Sequence, residues 1–136
     1  MLLDDLTARD VMTTKVVHAE PHETIREAMI RMDEHGIHGL VVEPTSASRG
    51  HCILTVKDCI EVLCDAGEAA IDSLCVEDSM TRPAVTVPAT LCLSDCIQLM
   101  RNAGIRTAPV LQGPKLVGIL SFTDVLRACL GGESDG

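Results

Sequence analysis

The chain has 136 residues, enough for one compact domain with a real core or two small halves that share one. Hydrophobic residues make up 46%, which excludes a disordered chain, and the aromatic content is a single Phe with no Trp or Tyr. The formal charge is −9, from 11 basic and 20 acidic residues; no basic stripe or aromatic interleaving is present, so a nucleic-acid surface is excluded, although a nucleotide is not.

In chain order, the opening MLLDDLTARD lacks the basic and apolar regions of a signal peptide. No run reaches the roughly 18 apolar residues of a membrane span. With seven scattered cysteines, this predicts a cytoplasmic chain with reduced thiols and no membrane partner. A β-type run over KVVHA leads into a helix with Thr24 as N-cap and Glu27 completing a capping box. Ile25, Ala28, Met29 and Met32 supply its apolar face, and Gly36 stops it. Apolar strands GLVV and HCILT follow, separated by the polar loop EPTSASRG, and a second helix begins near Asp58. The connecting GEAAIDSLCVEDSM holds a predicted helical turn or two at AAIDSLC. The same order then returns: AVTV, a helix with Leu93, Cys96, Ile97 and Met100 that Gly104 stops, strands APVL and KLVGILS, and a last helix near Asp124. The ending GGESDG reads as a frayed tail.

Sliding the sequence by 68 aligns Asp10 with Asp78, Met12 with Met80, Thr13 with Thr81, Met32 with Met100, and Gly36 with Gly104. After the polar loop the offset becomes 66, aligning Ile53 with Ile119, Leu54 with Leu120, and Asp58 with Asp124. The chain is a duplication. The predicted fold class is α/β, two tandem β-α-β-β-α repeats over residues 7–66 and 75–130. They are joined by a linker at 67–74, followed by a tail at 131–136, and related by a pseudo-two-fold in one compact module.

Each copy ends its last strand with a hydroxyl-x-x-carboxylate device, TVKD with Thr55 and Asp58, SFTD with Ser121 and Asp124. Two readings stand side by side. The hydroxyls cap a helix whose dipole the carboxylates complement. Alternatively, each carboxylate accepts from the two hydroxyls of a ribose, with the Ser or Thr adding a further bond and Gly118 letting a ligand approach the second strand closely. Phe122 is expected to point away into packing. Cys96 reads as a small buried hydrophobe, and the histidines other than His38 as surface or capping residues. No catalytic constellation, zinc-type spacing or P-loop is present, so a non-enzymatic protein without a metal is expected.

The openings DVMTT and DSMTR, the helix ends MDEHGI and MRNAGI, the strand TAPVL and the closing GILSFTD together resemble a tandem pair of CBS domains, the Bateman module, over residues 7–130. The resemblance implies a stand-alone regulatory module that binds an adenosine-containing ligand, AMP, ADP, ATP or S-adenosylmethionine, in clefts between the copies and signals by conformational change. It implies ribose positions at Ser121, Asp124, Thr55 and Asp58. Phosphate-side residues would be Lys57, His38 and Arg106, and adenine walls Ile37, Ile105, Pro109, Ile53, Gly118 and Ile119. If one site fills, the expected one uses Ser121 and Asp124, because Cys52 stands where the second copy has Gly118. Few cations converge, which suits AMP, ADP or a cationic adenosyl compound better than a triphosphate. A homodimer and an unknown effector protein are the implied partners. The alternative is a partner-binding module with degenerate sites, to which Cys52, Gly39 and Thr107 point; a thiol or metal sensor rests on the cysteine count alone.

Overall fold

The computed structural model describes residues 2–43 and 50–131. In chain order its elements are α1 (Leu2–Asp5), α2 (Ala8–Val11), β1 (His18–Ala19), α3 (Ile25–His35), β2 (Gly39–Val42), β3 (Cys52–Thr55) and α4 (Val56–Ala66). There follow α5 (Ala70–Ser73), α6 (Val76–Ser79), β4 (Val87–Pro88), α7 (Leu93–Ala103), β5 (Thr107–Gln112), β6 (Lys115–Ser121) and α8 (Phe122–Cys129). The tail after Gly131 and residues 44–49 of the polar loop lie outside the described residues.

The chain divides into two compact units that cut across its linear order. A continuous unit comprises Val17–Ala84, and a split unit joins Met1–Val16 to Val85–Gly136. Each contains a three-stranded sheet, β1-β2-β3 or β4-β5-β6, with the first pair parallel and the second antiparallel.

In the continuous unit, Leu40, Val42, Cys52 and Leu54 share one sheet face and pack against Ile25, Ala28 and Met32 of α3 and Cys59 and Val62 of α4. In the split unit, Ala108, Val110 and Leu120 pack with Leu93, Cys96 and Met100 of α7, and with Ala8, Val11 and Met12. Strand alternation places Val41 and Ile53, and likewise Pro109 and Ile119, on the opposite sheet faces.

Gly36 and Gly104 end α3 and α7 with φ of 62° and 70°, a left-handed conformation that lets their N–H groups return to carbonyls of the last turn. The expected run KVVHA contributes only His18–Ala19, and AVTV only Val87, which β4 extends by Pro88; these are the residues in register with β2 and β5.

The segments expected to open each copy have a definite structure. Asp10 and Asp78 accept from the backbone N–H of Thr7 and Cys75, capping the short helices α2 and α6. Met12 and Met80 then enter the two cores. Thr13 forms a two-way antiparallel bridge with Ile119, and Thr81 one with Ile53. The opening segment of the first copy therefore completes the sheet that carries the last strand of the second copy.

Candidate functional site

The helices α4 and α8 begin two residues before Asp58 and Asp124, because the hydroxyl residue is the N-cap and the aspartate stands at the third helical position. Thr55 Oγ1 accepts from Asp58 N at 3.3 Å, and Asp58 Oδ2 accepts from Thr55 N at 2.9 Å. In the split unit Ser121 Oγ accepts from Asp124 N at 3.1 Å, and Asp124 Oδ2 accepts from Ser121 N at 3.0 Å. Both devices are complete capping boxes. The capping reading is thus present in the molecule.

Capping alone leaves the burial of these carboxylates unexplained. Asp58 and Asp124 are 9% and 4% exposed, whereas ordinary caps sit at the surface in water. Each receives a further hydroxyl from a bridging threonine. Thr81 donates to Asp58 Oδ1 at 3.1 Å, and Thr13 donates to Asp124 Oδ1 at 3.0 Å. These threonines were visible in the sequence only as repeated letters of the M-T openings. Their recurrence at one spacing in both copies was the available signal. They join each aspartate to the exchanged segment.

His38 O accepts from Val56 N and Arg106 O from Phe122 N, so both basic residues stand beside the starts of α4 and α8. Their side chains are exposed, as is that of Lys57. Ile53 and Pro109 are buried, and Ile119 is half-buried beside Pro109 in the β5–β6 register. Ile37 and His38 line an apolar groove of about 290 Å³ with Met29, Met32, Val56 and Ile60, whose walls do not include Thr55 or Asp58. Ile105 is the half-buried counterpart of Ile37, packed against the split unit's core.

At Gly118 a close approach is made within the chain. A Cβ there would lie 2.6 Å from Met12 Sδ and 2.9 Å from Thr13 O. The close approach that this glycine allows is made by the chain itself, and the glycine serves docking of the exchanged segment. Phe122 packs against the split unit's core, as the strand alternation implied.

The cysteines are free thiols, and burial pushes those of Cys59 and Cys96 up to about 11. Such thiols carry little thiolate at neutral pH and behave as small hydrophobes. Among the described residues no three His, Cys, Asp or Glu side chains converge as a metal centre, and no helix is long and apolar enough to cross a membrane.

Two β-α-β-β-α units, each closing on a buried carboxylate at a capped helix start, define a tandem regulatory module. The CBS-domain model matches residues 8–65 and 76–131, and the chain belongs to that family as a tandem CBS pair. An uncharacterized 17.7 kDa protein of Acidianus ambivalens is 36% identical over 121 residues, covering 88% of this chain and 71% of its own. The chain spans only 60% of the length of a second relative, an uncharacterized protein of Methanopyrus kandleri. Among solved structures, a hexameric CBS-CP12 protein from bloom-forming cyanobacteria superposes with a TM-score of 0.80 at 32% identity, over 89% of this chain and 69% of that one. The CBS domain pair of protein MJ0100, in complex with 5′-methylthioadenosine and S-adenosyl-L-methionine, has the same fold at TM-score 0.76 and 22% identity, over 93% and 97% of the two chains.

Proposed function

We propose that this chain is a non-enzymatic sensor of an adenosine-containing ligand, acting in the cytoplasm. The observation that carries the reading is the pair of buried carboxylates, Asp58 and Asp124, each with a hydroxyl residue three positions earlier at a helix start. A carboxylate offers about four lone-pair positions, and a ribose diol needs two. Thr55 with Asp58 and Ser121 with Asp124 hold the ribose. Ile37, Ile53, Ile105, Pro109 and Ile119 supply aliphatic surface for an adenine, in a chain with no Trp or Tyr to stack on it. Lys57, His38 and Arg106 stand ready for an anionic group. The adenosyl ligands held by the MJ0100 pair support the ligand class. The signal is a shift between conformers, as large as the ligand's differential affinity for them.

Calorimetric unfolding with millimolar AMP, ADP, ATP and S-adenosylmethionine tests this. A ligand at about 100 times its Kd stabilises the fold by about 2.7 kcal/mol, a shift of several degrees in Tm. No shift with any of the four sinks the reading.

A second component is self-association. Val56 and Ile60 on α4 are 39% and 48% exposed, and Leu126 and Leu130, the 66-residue counterparts of Ile60 and Cys64, are 60% and 79% exposed. The outward apolar position of Ile60 thus recurs at Leu126, and a homodimer would cover these exposed side chains. Ile60→Glu with Leu126→Glu should halve the mass seen by light scattering. An unchanged mass removes the dimer and leaves these side chains to an effector protein, which is the partner-binding reading.

A further inference from the structure

The two carboxylates differ in how much of their hydrogen-bonding capacity the chain already uses, and the inference drawn from this rests on the ribose reading above. Asp124 accepts from three donors: Ser121 N at 3.0 Å, Ser121 Oγ at 2.9 Å and Thr13 Oγ1 at 3.0 Å. Arg127, one turn further along α8, places Nη1 3.6 Å from Asp124 Oδ1. That leaves about one lone-pair position, on the oxygen that the guanidinium faces.

Among the described residues Asp58 accepts from two donors, Thr55 N and the single hydroxyl of Thr81, which lies 3.1 Å from Oδ1 and 3.4 Å from Oδ2. One hydrogen fewer thus reaches Asp58 than reaches Asp124, and the shared Thr81 hydrogen leaves Oδ1 the more open of its two oxygens. The position matching Arg127 is Glu61, which supplies no donor. The Thr55 hydroxyl accepts from Asp58 N but makes no bond to the carboxylate, in contrast to Ser121. Across the strand register, Gly39 stands opposite Thr55, whereas buried Thr107 stands opposite Ser121. Directly opposed residues share a sheet face, so the first site is roomier by a side chain.

We propose that Arg127 is a specificity-determining residue that occupies Asp124 and leaves Asp58, paired in the repeat with Glu61, as the site that an adenosine diol fills first. This reverses the order expected from Gly118 and Cys52, since the space beside Gly118 belongs to Met12. A ligand reaching Asp124 meets a guanidinium 3.6 Å from Oδ1, whereas one reaching Asp58 meets a carboxylate with one donor fewer and Glu61 at the matching position.

Titration calorimetry with AMP, ADP, ATP and S-adenosylmethionine tests this on the wild type, Asp58→Asn, Asp124→Asn, Arg127→Gln and Glu61→Arg. Asp58→Asn should weaken the tighter binding event by about tenfold or more, and Asp124→Asn should leave it within about twofold. Arg127 and Glu61 are exposed, so their variants keep the test valid where an Asn variant fails to fold. Arg127→Gln should strengthen binding at the second site and Glu61→Arg should weaken it at the first; a purely structural role would move Tm without these opposed affinity changes. Loss of the tighter event in Asp124→Asn, or weaker binding in Arg127→Gln, overturns the inference and leaves the proposed function standing. No heat from any of the four ligands with the wild type overturns the proposed function, and the inference with it.

Discussion

The two units share one topology yet brace the entrance of their long helices with different chemistry. In the continuous unit, Arg31 of α3 holds Glu23 in a two-pronged ion pair at 2.7 and 2.5 Å. The positions 68 residues on are Leu91 and Leu99. Thr24 caps α3 by accepting from Glu27 N, while its counterpart Cys92 gives α7 no side-chain cap. The same backbone therefore forms with an ion pair at these positions in one unit and without one in the other, where Leu91 packs against the core and Leu99 is exposed. What both units keep is the aliphatic contact of helix and sheet, the glycine stop, and the aspartate-threonine tie to the exchanged segment.

The largest effects should come from what is shared. Leu54 and Leu120 occupy matching positions and are both fully buried. Truncating either to Ala should cost about 2–5 kcal/mol. Scanning calorimetry of the two variants would show whether one transition or a separate one moves in each, and a common shift would mean that the units melt together.

Next comes a contrast. Gly118→Val drives a side chain into Met12 and the backbone oxygen of Thr13, an overpacking cost of about 1–3 kcal/mol. Cys52→Val, at the matching site that already carries a side chain, should cost less than about 1.5 kcal/mol. Urea unfolding that ranks them the other way would refute the exchanged-segment packing.

The helix caps give a smaller pair. Thr24→Ala should destabilise by about 1 kcal/mol, and Cys92→Thr should stabilise by up to a similar amount, measured by the same unfolding curves.

The smallest effect is one of pH. The Arg31 hydrogen bond holds the Glu23 carboxyl below its ordinary value of 4.5, against the opposing effect of burial. A depressed folded value contributes stability above the unfolded value and loses it as pH falls through the folded one. The stability gap between the wild type and Glu23→Gln should therefore be full near neutrality and close below about pH 4.5. A gap that widens in acid would contradict the brace.

Much of this architecture was legible because its signals are local. The repeat offset, the helical stripe from Ile25 to Met32, the glycine stops and the hydroxyl-x-x-carboxylate pairs all act within a few residues of one another. The helices start two residues before the aspartates that mark them in the sequence, because the hydroxyl residue is the N-cap and the aspartate the third helical residue. The partner of Thr13 was not legible, since it lies 111 positions away at Asp124. Nothing within the first copy marks its opening segment as belonging to the second copy's sheet. Gly118 was legible as a place of close approach, but the approaching group, Met12, is equally remote in sequence. The imbalance between Asp58 and Asp124 needed the geometry of the hydroxyls, which residue types alone do not specify.

The split unit's composition also sets an order of events when the chain is made. Residues 17–84 can close their sheet once Ala84 has left the ribosome. Residues 1–16 emerge before that continuous unit, yet their docking strand, Lys115–Ser121, follows it. Val11 and Met12, both destined for a core, must wait in solvent until that strand has emerged. The three acidic residues beside them, Asp4, Asp5 and Asp10, would keep that waiting arm hydrated and discourage it from sticking elsewhere.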